Sequence, residues 1–96
     1  MYVQISLLRW KDVATEQSAQ EVLARYRELA DIDGVVEVTV GKNSSPWSAG
    51  YTDVILVRAE DEAAIERYRT DPRRKKLAAT VDELEEHGIG VVLGPV

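Results

Sequence analysis

Residues 2–10 read YVQISLLRW. Val3, Ile5 and Leu7 share one face, and Gln4, Ser6, Leu8 and Trp10 the other, the period of two expected of a β-strand. Beyond it, Thr15 can cap a helix, and Ser18 with Glu21 gives a second S-x-x-E capping signal just inside. Val22, Leu23, Tyr26, Leu29 and Ala30 then recur at helical spacing, which predicts an amphipathic helix over residues 15–31. Asp33-Gly34 marks a turn, and Val35 to Val40 reads as a second strand ending at Gly41. The stretch 41–50, GKNSSPWSAG, is a polar loop containing Pro46 and Trp47.

Tyr51 to Ala59 is the third strand, with Tyr51, Asp53, Ile55 and Val57 on one face. The acidic Glu60-Asp61-Glu62 opens a short helix carrying Ile65 and Tyr68, since acid suits the positive helix end. Asp71-Pro72 starts another helix, Asp as N-cap and Pro at the first helical position, with Leu77, Val81 and Leu84 as its buried stripe. Gly88 ends that helix, and Ile89 to Leu93 forms the last strand. The order is β-α-β-β-α-β with a broken second helix: an α+β, ferredoxin-like protomer with helices on one face of a four-stranded antiparallel sheet. The bare face is expected to carry Gln4, Ser6, Leu8, Trp10, Tyr51, Asp53, Ile55 and Val57. That set is too apolar to be left in water. Two such sheets facing each other bury it, so a homodimeric barrel is expected.

Composition bounds the chemistry. The chain has 96 residues, 45% hydrophobic and 30% charged, which suits one domain spanning 1–96. It has no cysteine and a single histidine, which excludes disulfides, thiolate nucleophiles and multi-histidine zinc sites; no metal is expected. With 12 basic against 17 acidic residues, the net charge of -5 argues against nucleic acid as a partner. No apolar run is long enough for a membrane, and the N-terminus lacks a signal pattern, so a cytoplasmic location is expected.

The order and spacing of several segments resemble the Dabb family, the stress-responsive A/B barrel domain. They are Leu8-Arg9-Trp10-Lys11, Asp33-Gly34-Val35, Gly41-Lys42-Asn43-Ser44-Ser45-Pro46, Gly50-Tyr51-Thr52-Asp53 and Tyr68-x-x-Asp71-Pro72-x-Arg74. The resemblance implies a ferredoxin-like protomer, a homodimeric α/β barrel and a cavity between sheet and helices. Some members are stress-induced proteins without established chemistry. Others are cofactor-free cyclases that close polyketide chains by aldol chemistry, using cavity histidines and a tyrosine. Here the family's histidine positions fall on Gln4, Asp53, Asp71 and Arg74, while the tyrosine is kept as Tyr68. Tyr26 matches a cavity-facing aromatic position.

On this reading the barrel binds a small organic molecule, acidic-aromatic or polyketide-like, without a cofactor. Asp53 is the candidate base, because a desolvated carboxylate has a raised pKa; the opposing reading pairs or solvates it at the barrel mouth. Tyr68 is the candidate oxyanion donor, Arg74 the anion anchor, and Gln4, Ser6, Leu8, Trp10 and Tyr26 the remaining ligand contacts. Arg73, Arg74, Lys75 and Lys76 sit in a first helical turn, and Asp82, Glu83, Glu85 and Glu86 at that helix's end, both against the dipole. An anionic ligand, pairing with residues 60–62 or a solvated face would each compensate. His87 is read as a helix-end cap or surface residue, and Gly88-Ile89-Gly90 as a strand with two glycines. The alternatives are a non-catalytic stress-type dimer with a packed barrel, and, by fold analogy, a cofactor-free monooxygenase.

Overall fold

The computed structural model describes residues 1–96. Strand β1 (Tyr2–Trp10) leads to helix α1 (Glu16–Tyr26) and a 3-10 turn (Arg27–Asp31), then β2 (Val35–Lys42) and β3 (Asp53–Ala59). Helices α2 (Glu62–Thr70) and α3 (Pro72–Leu84) follow, and β4 (Glu85–Leu93) closes the chain. The sheet order is β2-β3-β1-β4 and every pairing is antiparallel, so the fold is ferredoxin-like α+β. No helix is long and apolar enough to cross a membrane.

Each helix starts where a side chain satisfies its free N–H groups. Thr15 Oγ1 accepts from the Ser18 N–H at 3.0 Å, and Ser18 Oγ accepts from the Thr15 N–H at 2.9 Å. The capping box therefore closes between Thr15 and Ser18, not between Ser18 and Glu21; Glu21 instead accepts from Gln17 at 3.0 Å. Asp61 caps α2 and Asp71 caps α3, each carboxylate accepting a backbone N–H at 2.8 Å. The first helix does not run unbroken to residue 31: beyond Tyr26 it tightens to 3-10 geometry, with Leu29 fully buried.

The two sheet faces are exchanged relative to the expectation. Gln4, Leu8, Asp53, Ile55 and Val57 are buried beneath the helices, packed among residues such as Leu23, Leu29, Ile65 and Val81. The open face carries Val3, Ile5, Leu7, Val54 and Leu56, together with Ile89, Val91 and Leu93, which are 39%, 50% and 59% exposed. Both faces of β1 are apolar, so alternation alone does not say which one receives the helices. What distinguishes them is that the buried polar groups Gln4 and Asp53 find partners on the helical side.

Strand boundaries differ in two places. β3 begins at Asp53, two residues after Tyr51, and β2 runs on to Lys42, which pairs with Asp53. Helix α3 ends at Leu84, so Glu85, Glu86 and His87 belong to β4. These residues tolerate helix, but β1 offers unpaired backbone out to Trp10. Pairing of Trp10 with Glu85 and a 2.8 Å bond from Lys11 N–H to the Leu84 carbonyl draw them into the sheet. In α3 only Val81 is fully buried, while Leu77 and Leu84 are partly so.

The Asp33-Gly34 turn docks on α2: Arg67 donates to the Asp33 carbonyl at 3.0 Å and Glu60 N–H to the Gly34 carbonyl at 2.9 Å. Gly34 has φ +84, and a Cβ there would lie 2.7 Å from both Ala64 Cβ and an Arg67 nitrogen. Gly34→Ala is expected to lower unfolding free energy by more than about 1 kcal/mol, since backbone strain and collision add. Urea denaturation followed by circular dichroism checks this.

Candidate functional site

A cavity of about 240 Å³ lies between the sheet and α3. Its wall is built from β1 (Gln4, Ser6, Leu8), β3 (Ile55), the helices (Tyr26, Tyr68, Arg74, Ala78, Val81, Asp82) and β4 (Glu85, Gly88, Ile89, Gly90). Its origin is local. Gly88 pairs with Leu8 and Gly90 with Ser6, so both glycines lie on the helical face, where β4 would otherwise place side chains. A Cβ at Gly90 would meet nothing within 4 Å. Gly90 leaves the gap between β4 and α3 unfilled, while the space over Gly88 is taken by the Glu85 carboxylate.

Of the residues singled out by sequence, Gln4, Ser6, Leu8, Tyr26, Tyr68 and Arg74 share this cavity, while Asp53 and Trp10 do not line it. Tyr26 and Tyr68 are 3% and 2% exposed. Burial pushes both phenols up, and for Tyr26 the neighbouring Tyr68, Asp82 and Glu85 add to the rise while Arg74 opposes it. The Arg74 guanidinium lies 5.8 Å from the centre of the Tyr68 ring, and its buried Nε has no hydrogen-bond partner. Gln4 is held by Arg69, whose Nε donates to Gln4 Oε1 at 3.4 Å. Sequence reasoning passed over Asp82 and Glu85, which read as the end of a solvated helix, and over the glycine pair. Their signal is the spacing Glu85-x-x-Gly88-x-Gly90, legible only once β4 starts at Glu85.

Asp53 has a different setting from the one expected. It is 1% exposed. Its carboxylate accepts from Trp10 Nε1 at 2.9 Å, Thr52 Oγ1 at 2.8 Å and Gln20 Nε2 at 3.3 Å, and pairs with Lys42 Nζ at 3.2 Å. Burial pushes its pKa up, but the bonds from Trp10, Thr52 and Lys42 and the Lys42 charge outweigh it, so the carboxyl is held below its ordinary value. The expected rise is therefore reversed: Asp53 ties the ends of β1, β2 and β3 to α1. Trp10 is its donor rather than a cavity wall.

Of the basic residues that oppose the α3 dipole, Arg73 is compensated within the chain. Arg73 grips Asp31 with two bonds of 2.7 and 3.0 Å and also reaches Asp71 at 3.2 Å, and it holds both carboxyls below their ordinary values. Arg74 turns into the cavity. His87, on β4 rather than at a helix end, meets the Tyr51 hydroxyl through Nδ1 at 2.7 Å. Trp47 stands 89% exposed on the loop before β3.

The Asp53 network gives a prediction with a definite sign. A carboxyl with a depressed folded-state pKa stabilises the fold above its unfolded value, about 3.9, and that contribution is lost as pH falls through the folded value. Asp53→Asn should therefore cost about 1–3 kcal/mol at neutral pH. It should also flatten the loss of stability below about pH 4, leaving the part due to Asp31 and Asp71. Thermal unfolding across pH 2–7 of both proteins measures this.

Comparison with known proteins agrees with the architecture. The sequence matches no curated protein at a significant level. An Arabidopsis thaliana protein superposes with a TM-score of 0.88 at 19% identity, over 100% of this chain and 96% of its own. A dimeric ferredoxin-like protein of unknown function from Thermobifida fusca gives 0.85 at 18% identity, over 98% and 90%. A hydroxynitrile lyase from Passiflora edulis gives 0.83 at 16% identity, over 96% and 90%. The family model of the Stress responsive A/B Barrel Domain matches residues 3–91, and the chain belongs to this Dabb family.

Proposed function

We propose that the chain is a homodimeric barrel protein that binds a one-ring organic molecule in the sheet–α3 cavity and acts on it without a cofactor. The molecule is acidic-aromatic or polyketide-like, and the chemistry is of the cyclase type, a proton transfer at a carbonyl. The observation that carries this reading is a cavity lined by two buried tyrosines and by Arg74, whose buried Nε has no partner within the chain. Buried polar groups without partners are rare in folded chains, and an anionic or carbonyl oxygen supplies the missing acceptor. The volume of about 240 Å³ lies below the roughly 300–1,000 Å³ of drug-sized pockets, which favours a single ring. That a hydroxynitrile lyase shares the fold is an analogy at the level of fold and carries no residue over.

The dimer rests on the open face. Val3, Ile5, Leu7, Val54, Leu56, Ile89, Val91 and Leu93 form a contiguous apolar surface between the Glu37–Arg58 ion pair and the Arg9–Glu86 pair. Such a surface is self-complementary about a two-fold axis, and a relative of the same fold is described as dimeric. Val91→Arg is expected to halve the mass seen by sedimentation equilibrium while the far-ultraviolet spectrum is retained. A wild-type monomer would remove the barrel.

Ligand binding is tested by nuclear magnetic resonance titration with para-hydroxybenzoate. Shifts should concentrate at Ser6, Tyr26, Tyr68 and Gly90. Arg74→Ala should weaken binding at least about tenfold, equivalent to about 1.4 kcal/mol. Gly90→Val, which enters open space, should abolish binding without loss of stability. Shifts scattered over the surface, or unchanged affinity in both variants, would sink the reading.

A further inference from the structure

Glu85 stands at the junction where α3 gives way to β4, on the helical face of the sheet beside Trp10 and Leu8. Its carboxylate lies over Gly88: a Cβ on that glycine would come within 2.7 Å of Glu85 Oε2. The absence of a side chain at Gly88 thus makes room for the carboxyl to fold into the cavity that both residues line. Gly88 has no positive φ, so its place in β4 is not explained by backbone conformation.

Unlike Asp53, Glu85 forms no ion pair, and its nearest acidic neighbour in the cavity is Asp82, one helical turn earlier. Burial raises its pKa, and the Asp82 carboxylate raises it further. An independent feature points to a ligand in the same space. Arg74, whose buried Nε has no hydrogen-bond partner within the chain, lines the cavity together with the buried Tyr26. The cavity therefore presents donors at Arg74 and the tyrosines, and a half-buried carboxyl without a cation at Glu85.

Resting on the cavity reading above, we propose that Glu85, seated over Gly88, is the proton acceptor for a hydroxyaryl ketone whose carbonyl oxygen is held by Arg74 and Tyr68. The C–H bond beside the carbonyl breaks and its proton passes to a Glu85 oxygen. The electron pair left behind forms the C=C of the enolate, and the carbonyl π pair moves to oxygen, where the Arg74 and Tyr68 donors stabilise it. Return of a proton to carbon, after exchange with solvent, restores the ketone. No oxidant, reductant or cofactor enters the balance.

The test uses para-hydroxyacetophenone in D2O, with proton resonance following both binding and loss of the methyl signal. The expected result is methyl exchange in wild type about a hundredfold or more faster than in Glu85→Gln, at equal saturation. Gly88→Ala keeps every charge but displaces the carboxyl, and it should slow exchange at least about tenfold with binding retained. This second variant keeps the test intact if Glu85→Gln does not fold. Bound probe with exchange no faster than buffer, or either variant exchanging at the wild-type rate, overturns the role of Glu85 and leaves the cavity reading standing. Failure of wild type to bind the probe overturns both.

Discussion

Pairing of β1 with β4 is the constraint on which the rest of the molecule depends. β1 is central, bonded to β3 on one side, and its other edge must find a partner along its full length or leave buried N–H and C=O groups unmet. That requirement takes residues 85–87 away from the helix they could otherwise extend. It also sets the register that aligns Gly88 with Leu8 and Gly90 with Ser6, and so places two positions without side chains opposite α3. The cavity is thus a product of backbone pairing more than of side-chain packing.

A second consequence of the same register is the separation of two carboxylates into different trades. Asp53 sits at the start of β3, where Trp10, Thr52, Gln20 and Lys42 converge, and every lone pair it offers has a donor near it. Glu85 pairs across from Trp10 on the same face, yet its only close ionisable neighbour on α3 is another acid, Asp82. Two acids of one sheet face, Asp53 buried and Glu85 half-buried, therefore have pKa values pushed in opposite directions by their surroundings.

Much of this was legible in the residues. Alternation in β1, Thr15 as a cap, and Asp71-Pro72 as a helix start are local signals, and local hydrogen bonding realises them. Six cavity residues were legible through their positions in strands and helices and through the family resemblance. The face assignment was not legible, because Val3, Ile5 and Leu7 are as apolar as the residues opposite them, and only the helices' side breaks the tie. The surroundings of Asp53 were not legible for a related reason: its partners come from residues 10, 20, 42 and 52, a convergence that no short window displays. The helix-to-strand change at Glu85 was hidden because Glu-Glu-His favours neither state strongly, and tertiary pairing made the choice.

The bare glycine positions of β4 have a bearing on how such a chain diverges. Gly90 faces open space, and neither it nor Gly88 is required by a left-handed backbone. Residue size at Gly90 can drift with little effect on folding, while, on the proposed reading, each added methyl group there subtracts directly from the room available to a guest. On the same reading, ligand scope is therefore decoupled from stability and concentrated in an edge strand, so that a new specificity lies within single substitutions.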